Sequence, residues 1–186
     1  MCSFPDSNQQ KSGQLTQLSN DTNDFLKEES IKDVSNLLEI NKAGICVCLA
    51  TIEDIDIQYN WYYDACKRCN NGLVKEGDVT RCRKENHVVK STIPRFKIKF
   101  IVSDKTADAS FLMFDKEVSK LVRKTAKEIL DLQGKDAIET TFPEESKFFL
   151  GKRYLFRVKV PNNNAVDENS TYTVVSTTET NGWDCI

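Results

Sequence analysis

The sequence lacks the residue patterns by which enzyme active sites are usually recognised. Among its 186 residues there is a single histidine, His87. A glycine-rich loop that could hold phosphates is absent, and so is the His-x-Glu pattern, followed by Cys-x-x-Cys, of zinc deaminases. Because no nucleophile, base and charge-stabilising group occur together in a recognisable pattern, we expect no enzymatic activity and no small-molecule substrate.

Long apolar runs are also missing. No stretch approaches the roughly 20 apolar residues of a membrane-spanning helix, and the N-terminus has neither the basic start nor the apolar core of a signal peptide. We therefore expect an intracellular protein with no membrane partner, whose cysteines are not used for disulfides. Four of them are predicted to be free thiols: Cys2, Cys46, Cys48 and Cys185.

An excess of positive charge is the third absence. The net charge is −2, which by itself argues against a nucleic-acid partner. The charge is unevenly distributed, however, because residues 1–40 contain seven acidic residues against three lysines, and the rest has a small positive excess. Residues 1–29 are polar, without a sustained apolar period, and are predicted to be a disordered or loosely ordered arm; residues 181–186 are a short tail.

What the sequence does contain is a set of candidate metal ligands between residues 61 and 90. Cys66-x-x-Cys69 offers two ligands, and Cys82 and His87 offer two more. Turn signals at residues 71–78 predict a short hairpin between the two pairs. Zinc prefers four sulfur or nitrogen ligands in tetrahedral geometry, so we predict a closed, structural Zn²⁺ site in a zinc ribbon.

Other interpretations of these residues remain open. The cysteines could be free thiols beside a surface histidine, or Cys66 and Cys69 could be a redox pair. A redox pair leaves Cys82 and His87 unexplained, and no thioredoxin-like βαβ pattern surrounds it. A DNA-reading ββα finger needs a helix, and residues 83–86 are too short and too polar to form one.

Around this segment the sequence alternates in the way that β-strands do. Strands are predicted at 45–57, 93–102, 109–114, 151–160 and 171–176, with a short helix at 30–40 and a longer one from Asp115 to about residue 134. The fold class is therefore mainly β: a five-stranded OB-fold barrel at residues 30–180, with one capping α-helix and the zinc ribbon inserted at 61–90.

Several segments of the chain resemble a known family. They are ATI (50–52), WYYDACKRC (61–69), IPRFKIKFIVSD (93–104), DKEVSKLVRKTAKEIL (115–130) and GKRYLFRVKV (151–160). Together they resemble the C-terminal DNA-binding OB domain of the replication protein A large subunit, and most closely its plant members, over about residues 30–178. The family's zinc ligands then correspond to Cys66, Cys69, Cys82 and His87, the last in place of a cysteine.

The resemblance implies a function and partners. It implies largely sequence-independent binding of single-stranded DNA in replication, repair or recombination, a nuclear location, and other replication protein A subunits as partners. In the family's large subunit a long helix after the last strand packs against the smaller subunits, whereas this chain ends in TTETNGWDCI. We therefore expect either a fragment or a shorter, in some cases transposon-derived, relative that does not assemble a trimer through that helix.

The candidate DNA contacts follow from how single strands are bound. Such proteins combine a basic groove with aromatic faces on which bases stack. The candidates are Arg95, Lys97, Lys99, Arg153, Arg157 and Lys159 for phosphates, with Lys67, Arg68 and Arg81 at the rim, and Trp61, Tyr62, Phe111 and Tyr154 for bases. For each, a structural role competes, because basic residues on a strand often only face solvent and aromatic residues usually pack in a core.

A second function belongs to a different class. The barrel and ribbon could be a protein-interaction module of a replication-protein-A-like complex that binds DNA weakly or not at all. The modest net charge favours this alternative, and the acidic arm could fold over the basic face and screen it. Removing residues 1–29 would then tighten DNA binding, whereas no change would exclude the screening.

Overall fold

The computed structural model of the chain describes residues 31–56, 58–133, 148–162 and 170–180. The predicted arm (1–29) and tail (181–186), together with Cys2 and Cys185, lie outside these ranges. Within them, no helix is long and apolar enough to cross a membrane. The domain boundaries at residues 30 and 180 stay predictions.

The described ranges contain nine strands and three helices. The strands are β1 (Ile31–Lys32), β2 (Gly44–Ile55), β3 (Tyr62–Cys66), β4 (Leu73–Glu76), β5 (Val79–Cys82), β6 (Thr92–Ser103), β7 (Asp108–Phe114), β8 (Arg153–Val160) and β9 (Thr171–Glu179). The helices are α1 (Val34–Leu38), α2 (Asp115–Val122) and α3 (Ala126–Gln133). The prediction of a mainly β fold is confirmed.

Seven of these strands form one sheet that closes on itself. Their order is β1-β2-β8-β9-β7-β6-β3, and an additional pairing of β2 with β6 joins β2, β8, β9, β7 and β6 into a ring. The 12-residue β2 is long enough to pair with β8 from residue 44 to residue 51 and then with β6 up to Ile55. A register shift between Ile52 and Asp54 bends β2 where it meets β6.

The interior of the ring follows the alternation read from the sequence. Phe96, Ile98, Phe100 and Val102 on β6 are all buried, and so are Tyr154, Phe156, Val158 and Val160 on β8. Each such side chain contributes roughly 1.5–3 kcal/mol when it is fully buried. Cys46 and Cys48 on β2 also belong to this core, and burial raises the pKa of the Cys48 thiol to about 12.

The prediction of a single capping helix from Asp115 to about residue 134 is wrong, because the described part of this segment contains two helices, α2 and α3. Arg123 adopts a left-handed conformation (φ 57°) that ends α2. Thr125 then starts α3 with a capping box: its hydroxyl accepts a hydrogen bond from the Glu128 N–H, and the Glu128 carboxylate accepts one from the Thr125 N–H. Both helices still pack on β6.

The predicted helix at residues 30–40 is also shorter in the structure. Ile31 and Lys32 form β1, which pairs in parallel with Val47 and Cys48 of β2, and only Val34–Leu38 is helical. The first turn of α1 is capped by a distant segment, because the Asp104 carboxylate accepts a hydrogen bond from the Val34 N–H at 2.7 Å.

Candidate nucleic-acid interface and metal site

The segment between β3 and β6 folds as a hairpin flanked by two tight turns. Strands β4 and β5 pair antiparallel from Leu73 opposite Cys82 to Glu76 opposite Val79, and Gly77 turns between them with φ 61°. This is the hairpin predicted between the two ligand pairs. β3 is not separate from the ring, however, because it pairs with β6 along its whole length, from Tyr62 to Cys66.

The two turns beside the hairpin have the same backbone pattern, and we call them the first and second knuckles. In the first, the Asn70 N–H donates to the Cys66 carbonyl and the Cys66 N–H donates to the carbonyl of residue 71. In the second, the Asn86 N–H donates to the Cys82 carbonyl and the Cys82 N–H donates to the carbonyl of residue 87. Asn70 and Asn86 both have left-handed φ angles, of 59° and 52°.

The knuckles bring the candidate metal ligands together. The sulfur atoms of Cys66, Cys69 and Cys82 lie within 4.8 Å of one another. The fourth candidate is adjacent, because Nε2 of His87 lies 3.5 Å from Sγ of Cys66. Ligand atoms bound to one tetrahedral Zn²⁺ at about 2.0–2.3 Å are roughly 3.5 Å apart, so the spacing of the three thiols fits zinc, and His87 stands beside one of them as a fourth donor of suitable chemistry.

The backbone of the second knuckle also favours the ligating form of one thiol. The N–H of Glu85 donates to Sγ of Cys82 at 3.4 Å. This hydrogen bond is the largest of the contributions that lower the pKa of the Cys82 thiol. Because the thiolate is the form that binds metal, this backbone hydrogen bond favours metal binding by Cys82.

A cavity on the outer face of β6 and β7 is the candidate nucleic-acid interface. It has a volume of about 200 Å³ and is lined by Tyr59, Lys97, Lys99, Leu112 and Thr171. The register explains why these side chains meet, because Lys99 pairs with Leu112 and Leu112 pairs with Thr173 on β9. Side chains that point outward on neighbouring strands stand side by side, so an apolar floor lies between two lysines and a tyrosine. We call this cavity the β6–β7 groove.

Exposed aromatic rings lie along the same face. Tyr59 is 60% exposed and lies beside Lys99, whose Nζ is 5.4 Å from the centre of the tyrosine ring. Phe114 pairs with Lys97 and is 38% exposed, and Tyr63 contacts it edge-on with ring centres 6.4 Å apart. The groove therefore continues along β6 as an alternation of basic and aromatic groups, which is what base stacking and phosphate binding require.

Acidic groups of the same chain engage two of the predicted basic residues. Lys99 lies 3.2 Å from the Asp56 carboxylate. The Arg95 guanidinium contacts the Asp115 carboxylate and donates to the Asn70 side chain at 2.7 Å. Asp115 also accepts a hydrogen bond from the Phe96 N–H at 3.1 Å, so its carboxylate is engaged by β6 and α2 has no side-chain cap. Arg95 thus joins the first knuckle to β6 and α2.

The basic residues of β8 lie farther from the β6–β7 groove than the lysines of β6 do. Lys159 is exposed and pairs with Thr173, so it lies in the same row as Lys99 but three strands around the ring, about 14 Å away along the sheet. Arg157 pairs with Val47 and Arg153 with Thr51, both outside that row.

The basic residues predicted at the rim lie on the ribbon. Lys67 and Arg68 line a second cavity, of about 250 Å³, beside Cys66 and His87. Arg81 is engaged elsewhere: it pairs with Glu76 at 3.3 Å.

For three of the predicted stacking residues, the prediction of a ring exposed to a base is wrong. Phe111 is fully buried and Trp61 and Tyr154 are each only 2% exposed, so their rings present no face to a base. They pack in the core instead, Phe111 against Phe156 with ring centres 5.1 Å apart. Tyr62 is half-buried and packs edge-on against Trp61.

The aromatic residues that do line this face were not predicted from the sequence. Strand β7 alternates, so if Phe111 points inward then Phe114 points outward, and the hairpin register places it opposite Lys97. The alternation of residues 109–114 was therefore a usable signal for Phe114. Tyr59 had a weaker signal, as an aromatic residue between Gln58 and Asn60, just before the Trp61–Tyr63 group.

Comparisons with known proteins agree with this geometry. The sequence profile described as the replication factor-A C-terminal domain matches residues 46–183. No curated protein sequence matches the chain significantly. Among solved structures, yeast RPA bound to ssDNA is similar with a TM-score of 0.61 and 20% identity, over 82% of this chain and 89% of that one. A replication protein A heterotrimer bound to ssDNA has a TM-score of 0.56 and 22% identity, over 78% of this chain and 34% of that one. The chain thus spans about a third of the second relative, and at these identities the likeness concerns the fold.

Proposed function

Because the chain belongs to the replication factor-A C-terminal domain family, we propose that it binds single-stranded DNA, without strong sequence preference, in the β6–β7 groove. Members of this family are OB domains without enzymatic activity, which agrees with the expectation from the sequence. The ring of strands is then the five-stranded OB barrel, and β6 and β7 are the barrel strands whose outer face binds oligonucleotides in this fold.

The observation that carries this proposal is the combination of groups in the groove. Tyr59 offers an exposed ring, Leu112 an apolar floor, and Lys97 and Lys99 two cationic groups within one cavity of about 200 Å³. A stacked base on such a ring contributes roughly 1–3 kcal/mol whatever its identity. Lys97 and Lys99 contact phosphates, and Arg153, Arg157 and Lys159 are secondary contacts further around the ring.

We also propose that Zn²⁺ bound by Cys66, Cys69, Cys82 and His87 stabilises the ribbon. The metal's role is structural, because four ligands close the site. The donor geometry of the two knuckles supports this assignment. Further proposals are a nuclear location, a role in replication, repair or recombination, other replication protein A subunits as partners, and a place among the plant members of the family.

Fluorescence anisotropy of a labelled thymine oligonucleotide tests the DNA-binding site. Tyr59→Ala is expected to weaken binding about 5- to 150-fold, the equivalent of one lost stack. Lys97→Ala is expected to lower the slope of log affinity against log salt concentration by about 1, which corresponds to one lost phosphate contact. Lys105→Ala is a matched control, because Lys105 is an exposed lysine in the turn beyond the far end of β6.

The same titration separates the two candidate functions. If zinc-loaded, folded protein does not bind at low salt, DNA binding is rejected and the interaction module becomes the better function. The pairing of Lys99 with Asp56 and of Arg95 with Asp115 favours that module, since it reduces the positive charge of the groove. If the protein binds but Tyr59→Ala binds as tightly as the unmodified chain, the strand lies elsewhere on the surface.

A further inference from the structure

The two knuckles are alike in backbone but differ in one side chain. In the first knuckle, the fourth residue is Cys69, which belongs to the thiol cluster. In the second knuckle, the equivalent residue is Glu85, and the candidate ligand is His87, two residues later. The second knuckle therefore carries a carboxylate where its counterpart carries a ligand, and the role of that carboxylate is open.

Distances around the imidazole indicate what Glu85 does. Nε2 of His87 faces the thiols, 3.5 Å from Sγ of Cys66. Nδ1, on the other side of the ring, lies 3.3 Å from Oε2 of Glu85. Nδ1 is shielded from solvent and makes no well-aligned hydrogen bond within the described part of the chain. The carboxylate is therefore within ion-pair distance of a ring nitrogen that lacks a well-oriented partner.

We propose that Glu85 is a positioning residue that holds His87 through Nδ1, so that Nε2 is the nitrogen presented to the metal. The inference rests on the zinc site proposed above. A neutral imidazole carries its proton on one nitrogen and offers a lone pair on the other. A carboxylate that accepts the Nδ1 proton's hydrogen bond selects the tautomer whose Nε2 can bind Zn²⁺, and it makes that nitrogen a better donor.

A ligand role for Glu85 fits the structure less well. Neither Glu85 nor His87 belongs to the cluster of three cysteine sulfurs, but Nε2 of His87 lies 3.5 Å from one of these sulfurs, whereas Oε2 of Glu85 lies beside Nδ1, on the other side of the imidazole. The oxygen that faces Nδ1 of His87, Oε2, is also the one 3.9 Å from the Arg68 side chain. Arg68 is 72% exposed, so this second contact contributes little, but it draws the carboxylate toward the first knuckle.

Zinc affinity, measured by chelator competition at one neutral pH, tests the proposal. Glu85→Ala is expected to weaken zinc binding 10- to 100-fold, the usual effect of removing a partner behind a metal-bound histidine. Glu85→Gln keeps an oxygen that can accept a hydrogen bond from Nδ1–H. Its zinc affinity is therefore expected to lie between that of Glu85→Ala and that of the unmodified chain. Glu76→Gln is the matched control, because Glu76 is a ribbon carboxylate that pairs with Arg81 and not with His87.

Two spectroscopic readouts distinguish positioning from ligation. In Co²⁺-substituted protein, Glu85→Gln is expected to keep the absorption bands of a tetrahedral site with three sulfurs and one nitrogen, whereas His87→Ala changes them. Nitrogen NMR of the zinc form is expected to show the proton on Nδ1 in the unmodified chain.

Three results would overturn the proposal, and they differ in meaning. Zinc bound by Glu85→Ala as tightly as by the unmodified chain would remove the role of Glu85 and leave the metal site standing. A Co²⁺ spectrum that changes in Glu85→Gln but not in His87→Ala would make Glu85 the ligand. Failure of the unmodified protein to bind zinc would reject the proposed site itself, and this inference with it.

Discussion

The ring of strands and the ribbon are held together in different ways. In the ring, side chains from every strand are buried, including the rings of Phe96, Phe100, Phe111, Phe156 and Tyr172. Between residues 67 and 91, which the structure describes throughout, the only buried hydrophobic residue is Cys82. Three valines of the ribbon, Val74, Val79 and Val88, are at least 36% exposed.

This difference shows that one chain can be ordered by two kinds of free energy. The ring is stabilised by apolar burial, which acts through shape and volume and needs no ligand. The ribbon buries little apolar surface to offset its conformational entropy, so we expect its order to depend on the hydrogen bonds of the knuckles and on the metal that we propose. The Arg95 guanidinium, bound to both Asn70 and Asp115, connects the two regions.

Removing the metal is expected to have the largest effect, and only on the ribbon. Structural zinc sites contribute an apparent 10–16 kcal/mol to folding in small zinc modules. Chelation, or Cys69→Ser, is therefore expected to abolish hydrogen-exchange protection at residues 67–91 while β2 and β8 stay protected. Cys46→Ala, which removes a buried thiol of the ring, is the control and is expected to leave zinc binding unchanged. Equal loss of protection in both regions would contradict the distinction.

Shortening a core side chain is expected to affect the ring alone. Phe100 is fully buried and packs edge-on against Phe149 with ring centres 5.2 Å apart. Phe100→Ala is expected to lower the free energy of unfolding by about 3–5 kcal/mol in denaturant titrations. Phe114→Ala, at an exposed position on the outer face, is expected to cost less than about 1 kcal/mol. A zinc affinity lowered in Phe100→Ala would show that the two regions are not independent.

Breaking the link between the regions is expected to have an intermediate effect. Arg95→Met removes charge-assisted hydrogen bonds, each worth roughly 1.5–3 kcal/mol when partly buried, and leaves the Asp115 carboxylate with only backbone partners. A double-mutant cycle of Arg95→Met with Asn70→Gly, which removes the ribbon side chain that Arg95 contacts and suits the left-handed backbone there, is measured by urea denaturation of zinc-loaded protein and gives the coupling energy between the two regions. Arg68→Met removes an exposed pair for comparison and is expected to change stability by less than about 1 kcal/mol. A coupling near zero would mean that the ribbon is attached through β3 alone.

The smallest expected effect is on how the stability of the ring decreases at acid pH. Burial raises the pKa of Asp104, but hydrogen bonds from Thr106, Val34 and Ala107 outweigh it, so the pKa is lowered overall. The stability it contributes is therefore complete above the ordinary aspartate pKa of about 4 and is lost as the pH falls through the lower folded value. Thermal unfolding of Asp104→Asn is expected to show a loss of about 1 kcal/mol at neutral pH and a weaker decline toward pH 3. An unchanged acid profile would contradict this assignment.

The faces of the ring strands could be predicted from the sequence, but the ends and caps of several elements could not. Alternation in residues 93–102 and 151–160 identifies the inward side chains because the period of a strand is two, although Leu155, on the other face of β8, is buried as well. The break at Arg123 depends on a left-handed backbone at a residue that rarely adopts it. The cap of α1 comes from Asp104, 70 residues away in sequence, which no local pattern reveals.

The candidate metal ligands and the candidate DNA contacts also differ in how far the local sequence determines where they lie. The spacing of Cys66, Cys69 and Cys82 predicted a cluster because short turns determine where those thiols lie. The β6–β7 groove requires the closed ring, since Tyr59 follows β2 while Thr171 begins β9. Choosing Phe111 and Trp61 as stacking residues failed because aromatic character alone does not tell which face of a strand a ring occupies.

The position of β9 in the sheet has a consequence for how the chain acquires its structure during synthesis. β9 is the last of the described strands to be made, yet it lies between β8 and β7, where Ser110 of β7 pairs with Thr171. The ribbon pairs residues close in sequence, such as Ala65 with Gly72 and Leu73 with Cys82. Local pairs close faster than distant ones. We therefore expect a nascent chain to complete its knuckles, and to be able to bind the proposed metal, before β9 is made and the ring of described strands can close.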